Sequence, residues 1–151
     1  MHNATESGLR VEQLKRLAND AQQTHRQLVP VLASLAGSDE EAQWACEALE
    51  NCGTPPASCA ASIASMANHP AELIASWACK LLARLGSDAT GAETQLVMAL
   101  TERGEELVRE EAARALGELG SLSDAARAAL TEAASQGSPR LQRLAHASLG
   151  G

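Results

Sequence analysis

One segment of this chain occurs four times. The stretch IASWACKLLARLG (residues 74–86) aligns with VREEAARALGELG (residues 108–120) at an offset of 34, so that Ile74 meets Val108, Ala78 meets Ala112 and Leu82 meets Leu116. EAQWACEALENCG (residues 41–53) precedes it by 33, and LQRLAHASLGG (residues 141–151) follows the third copy by 33. A constant period of this size means one supersecondary unit per copy, each too small to bury its apolar side except against its neighbours. Most fold classes are excluded by that alone.

Each copy reads as a helix. On a wheel of about 100° per residue, Ile74, Leu81, Leu82 and Leu85 lie within about 60° of Ala78. The chain has 31 alanines among 151 residues, two Trp, and neither Phe nor Tyr. Alanine favours helix and is too small to fill the gap between stacked sheets, so the expected class is all-α with close helix packing. Shorter amphipathic stretches alternate with the copies at residues 28–37, 58–67, 94–102 and 123–134.

The punctuation agrees with this alternation. Ser38 with Glu41, and Ser121 with Asp124, are spaced as capping boxes, while Thr54-Pro55 and Ser138-Pro139 pair an N-cap with Pro at the first helical position. Gly37, Gly53, Gly86 and Gly120 stand where a helix would close on a left-handed residue. The expected organisation is a disordered tail over residues 1–7 and one repeat domain over residues 8–151. Within it an added helix over residues 8–20 precedes helix pairs at about 21–53, 54–86, 91–120 and 121–151.

The pattern V-R-x-x-A-A-x-A-L-G-x-L-G at residues 108–120, with Val29-Pro30-Val31-Leu32 as a Pro-bearing first helix, resembles the HEAT repeat, in particular its bacterial phycobilisome-lyase-like variety. The resemblance spans about residues 28–151 and implies a right-handed α-α superhelix, a short solenoid of four helix pairs plus the N-terminal helix. It also implies that the second helices line a concave face. The Arg of the pattern is kept only at Arg109; Ala42, Ala75 and Gln142 hold that step elsewhere. The family includes proteins that assist bilin attachment and a branch that excises alkylated DNA bases, so an accessory lyase-like role stands as the enzymatic alternative.

Charge bears on the partner. The net charge is −7. Residues 39–118 hold 14 acidic side chains against Lys80, Arg84, Arg103, Arg109 and Arg114, which opposes binding to a phosphate backbone. No apolar run approaches the roughly 20 residues of a membrane span. The N-terminus lacks the pattern of a secretory signal. Cys46, Cys52, Cys59 and Cys79 form no CxxC motif and read as free thiols of a reducing, cytoplasmic compartment. Cys46 and Cys79 share a repeat step with Ala113 and His146, a packing slot and not a metal-ligand set. No nucleophile elbow or phosphate loop is present. No cofactor is implied, and the chain reads as non-catalytic.

Trp44 and Trp77 occupy the same step of successive copies, about 100° from the wheel's centre at the edge of the buried stripe. Glu111 and Leu144 hold that step later. Two readings follow. In one, a carboxylate at Glu111 marks an exposed step, and Trp44 and Trp77 form an aromatic stripe in the concave groove. Glu40, Gln43, Glu47, Ser76, Lys80, Glu110 and Glu111 then make its mostly acidic rim, suited to a basic or amphipathic protein or peptide. In the other, the indoles plug the seam between adjacent helices. The last helix also suggests a homodimer through the C-terminal repeat, with Leu141 or Leu144 exposed. The function expected is a scaffold or adaptor that binds a protein partner.

Overall fold

The computed structural model describes residues 9–150, and among these no strand occurs. The chain divides into two compact units, one ending at Cys59 and one beginning at Ala60. The expected tail, residues 1–7, lies outside the described residues.

The N-terminal unit contains α1 (Val11–Leu17), α2 (Ala21–Arg26), α3 (Leu28–Ser34), α4 (Asp39–Asn51) and a 3-10 turn (Ala57–Cys59). The longest helix, α4, packs on the three before it. Its start is fixed by the expected capping box: Ser38 Oγ accepts from Glu41 N–H at 3.1 Å, and Glu41 Oε1 accepts from Ser38 N–H at 2.8 Å. Gly37 does not take the expected left-handed φ; it is glycine because a Cβ there would collide with the Glu41 carboxylate of this box. Ala45, Ala48 and Leu49 form its buried face, and Leu14 and Leu17 that of α1. Thr54-Pro55 starts no helix. Pro56 follows directly, and a residue before proline is driven out of the helical region.

The C-terminal unit contains α5 (Ala60–Ala64), α6 (Glu72–Leu85), a 3-10 segment (Gly86–Ala92), α7 (Glu93–Glu102), α8 (Glu106–Glu118), α9 (Asp124–Gln136) and α10 (Pro139–Ser148). Two layers result. One is α6, α8 and α10, each packed on the next; the other holds α5, α7 and α9, each packed against its partner in the first layer. The helix expected over residues 58–67 is cut to five residues. Nearby hydroxyls draw on its backbone, with Ser65 Oγ donating to the Ser62 carbonyl at 2.6 Å. The cap expected at Ser121 lies instead at Ser123, whose Oγ accepts from Ala126 N–H at 3.1 Å while its own N–H donates to Glu93 at 2.9 Å. Ser138 caps α10 with Pro139 in its first turn, as expected.

The alanine-rich faces let helices approach closely. A Cβ on Gly117 of α8 would lie 2.9 Å from Ser148 Cα on α10, so only glycine fits at that crossing. The same contact is locked by Ser148 Oγ, which donates to the Ala113 carbonyl at 2.6 Å.

Hydrogen bonds echo the sequence period. In the N-terminal unit Asn51 Nδ2 donates to the Ala18 carbonyl at 3.0 Å, and Cys59 Sγ to the His25 carbonyl at 3.8 Å. In the C-terminal unit Arg103 Nη1 donates to the His69 carbonyl at 2.7 Å. These ties span 33 to 35 residues, one repeat, and each sets a side-chain donor on a main-chain acceptor of the repeat before. The Arg of the repeat pattern, Arg109, instead joins the two layers, its Nε donating to the Leu100 carbonyl at 2.9 Å.

Arg103 is the central tie of the C-terminal unit, since it also forms an ion pair with Glu105 at 2.9 Å. That hydrogen bond holds the Glu105 carboxyl below the usual range. A carboxyl with a lowered pKa stabilises the fold above its ordinary value, and that contribution is lost as pH falls through the folded value. Loss of the bond to the part-buried His69 carbonyl in Arg103→Ala is expected to cost about 1–3 kcal/mol, apart from the loss of the surface ion pair. Urea unfolding at neutral and acidic pH should show the deficit narrowing in acid; an unchanged midpoint at neutral pH would contradict the role given to Arg103.

Candidate partner-binding surface

The two-layer packing decides which side chains of α6, α8 and α10 point away from the core. On α8 the row is Leu107, Glu110, Arg114 and Glu118; Val108, Ala112, Ala115 and Leu116 point inward and are buried. One repeat earlier, α6 presents Leu73, Lys80 and Arg84. On α10 the row continues with Arg140, Arg143 and Ala147. Arg140 Nε meets Glu110 Oε1 at 3.0 Å, which joins α10 to α8 across the surface.

The tryptophan step does not belong to this row. Trp77 is 4% exposed, and Glu111 at the same step is 7% exposed. The expectation of exposure drawn from Glu111 is thus corrected: its carboxylate turns sideways toward α6, where its field acts on Cys79, and Arg114 stands 3.7 Å away. Ser76, expected in the rim, is 1% exposed, with its hydroxyl donating to the Leu73 carbonyl. Trp44 is half-buried and turned toward α1, since Lys15 of that helix lies over its ring at 5.4 Å.

Each indole already has cations of its own. Lys80 Nζ lies 4.7 Å from the centre of the Trp77 ring and the Arg84 guanidinium 5.6 Å. Such contacts use the negative face of the ring that a basic ligand would need. Gln43 and Glu47 are exposed on α4, with Glu40, Asp39 and Glu50 exposed beside them. Lys80 and Glu110 are half-buried. Sequence reasoning missed the cationic cover of the Trp step; the signal was present in Lys80 and Arg114, which stand one turn beyond Trp77 and Glu111.

A family model for HEAT repeats matches residues 60–150, more than half of the 151-residue chain. The chain belongs to the HEAT-repeat family. Among solved structures, the crystal structure of an engineered protein from the Northeast Structural Genomics Consortium is similar in fold over 92% of this chain and 70% of its own, at 22% identity and a TM-score of 0.58. A designed armadillo repeat protein solved in complex with the peptide (KR)4 aligns over 93% of this chain and 90% of its own, at 15% identity and a TM-score of 0.37, too low to carry an argument. No curated protein matches the chain.

The HEAT pairs hold few groups arranged for chemistry. Among the described residues no three His, Cys, Asp or Glu converge as metal ligands, and no helix is long and apolar enough to cross a membrane. A cleft of about 370 Å³ in the N-terminal unit is lined by Gln22, His25, Arg26, Pro56, Ser58 and Cys59. Its imidazole and thiol are engaged with backbone: His25 Nε2 donates to the Cys52 carbonyl at 2.9 Å, and Cys59 to that of His25. A second cleft of about 290 Å³, lined by Gln13, Arg16, Leu17, Asp20, Gln23 and Gln27, is a polar notch between α1, α2 and α3. Leu141 of the last HEAT pair, expected to support a dimer, is buried in its own unit, and Leu144 is half-buried.

Burial pushes the Cys79 thiol up to about 12, the Glu111 carboxylate adding to the effect and Arg103 opposing it. A thiol held protonated is a poor nucleophile. With Cys52 and Cys79 buried and Cys46 and Cys59 half-buried, a maleimide should label Cys46 and Cys59 in the native protein and the other two only in urea. Peptide mapping showing Cys79 labelled as fast as Cys46 would contradict the packing of the α6–α8 seam.

Proposed function

We propose that the chain is a non-catalytic protein-interaction module, a scaffold or adaptor that holds a protein or peptide on the outward faces of its second helices. The observation that carries this reading is the repeated layer itself. Helices at one repeat step set exposed side chains in rows, and their positions are fixed by buried packing and by carbonyl ties between repeats. A preformed surface loses little ordering entropy on binding. On α4 the exposed Asp39, Glu40, Glu47 and Glu50, with Gln43 among them, support a contact through that face with a basic or amphipathic segment that leaves the Lys15-covered Trp44 ring aside. Four cysteines that form no disulfide support a reducing, cytoplasmic setting.

A random peptide library panned on the immobilised full chain tests this. The expected result is enrichment of one or a few related motifs, bound saturably and weakened by Glu47→Lys or by substitutions on the outward row of the C-terminal unit. A library that converges on nothing, or on peptides that bind equally to the urea-unfolded chain, would overturn the proposal.

A further inference from the structure

The two layers of the C-terminal unit differ in charge. Along α7, α9 and the 3-10 segment before α7 stand Asp88, Glu93, Glu102, Asp124 and Glu132, against Arg127 on α9 and Arg103 at the end of α7, which is engaged by Glu105 and the His69 carbonyl. The outward row of α6, α8 and α10 instead carries Lys80, Arg84, Arg114, Arg140 and Arg143 against Glu110 and Glu118. Glu110 and Arg140 neutralise each other through their ion pair, which leaves Lys80, Arg84, Arg114 and Arg143 against Glu118. In a chain of net charge −7, five of the eight Lys and Arg residues of the C-terminal unit stand on this one face.

That face also has an apolar end. Leu73 is 42% exposed, and Leu107 at the same step of α8 is half-buried beside it, because α6 and α8 are packed neighbours. Two helical turns further along, Lys80 and Arg114 again share a step. Seven residues of helix separate each leucine from its cation, about 10.5 Å along the axis. Between them the surface of α6 is low, with Ser76 sunk below it and Ala83 beyond.

We infer that this face of the C-terminal unit binds an acidic amphipathic helix of a partner protein, its apolar side chain on Leu73 and Leu107 and its carboxylates on Lys80, Arg114 and Arg143. The inference rests on the protein-binding reading and names the partner's chemistry. A helix that carries an apolar residue and a carboxylate two turns apart matches both rows when it lies along the α6–α8 groove. Charges of opposite sign would steer the encounter and set the register. Carboxylates remain among the cations, at Glu118 on the row and at Glu72 and Glu106 in the first turns of α6 and α8. They repel a continuous phosphate backbone, whereas discrete side-chain carboxylates can be placed between them; this favours a protein over a nucleic acid.

Three fluorescein-labelled probes test it by anisotropy against the full chain. They are a helical peptide with Leu and Glu two turns apart, the same peptide with Lys for Glu, and a single-stranded oligonucleotide. The acidic peptide should bind most tightly and weaken as salt is raised. Its affinity should fall about tenfold or more in Arg143→Glu and in Leu73→Ser. Both variants alter exposed positions, and unchanged thermal unfolding by circular dichroism confirms that they fold. Tighter binding of the lysine peptide that persists in Glu47→Lys, and so does not come from α4, would overturn this inference while leaving the protein-binding reading in place. Tighter binding of the oligonucleotide, or an acidic-peptide affinity that neither variant changes, would also overturn it. The broader reading stands or falls separately, on the library experiment.

Discussion

Close approach between helices of successive repeats is the constraint on which the rest of this molecule depends. The C-terminal unit meets it with small residues at the crossings. Ala112, Ala113 and Ala115 are fully buried on α8, Gly117 leaves no space for a Cβ against Ser148, and the Ser148 hydroxyl closes the contact on the Ala113 carbonyl. With so little side-chain volume between backbones, large residues are tolerated only at particular steps. The leucines fill the space between layers, and the step at the edge of the stripe fills the seam between neighbours. The burial of Trp77 and of Glu111 follows from that geometry.

The fold was largely legible because the period, the alanine content and the capping residues all report on backbone and packing. Ser38 with Glu41 and Ser138 with Pro139 lie where their spacing placed them. Failures came where two local signals compete. Thr54-Pro55 has the form of a helix start, yet Pro56 removes the conformation it needs. Residues 58–67 have the amphipathic pattern of a full helix, but serine hydroxyls and a preceding 3-10 turn shorten it.

The candidate site was less legible, and one residue shows why. A glutamate on a helix edge reads as solvent-facing, because a buried carboxylate is costly. Glu111 is buried all the same, with Arg114 one turn along the same helix at 3.7 Å and its Oε1 lacking a hydrogen-bond donor. The wheel places such a residue at a boundary and cannot say on which side of it the neighbouring helix lies. Packing partners decide that, and they are separated by a whole repeat in sequence. The cations over the two indoles were obscured for the same reason in one case: Lys15 reaches Trp44 from another helix. Lys80 and Arg84 lie on the helix of Trp77 itself and were within reach of a spacing argument.

Function in this account moves off the tryptophans and onto their neighbours. The Trp step closes the seam, and the residues one turn away carry the charge and exposure that a partner would meet. The direct measurement is acrylamide quenching of Trp77 alone, in a Trp44→Phe background. A blue-shifted emission that resists quenching until the chain unfolds is the predicted result. Quenching at a rate near that of the unfolded chain would place the indole in solvent and contradict the seam role on which the account rests.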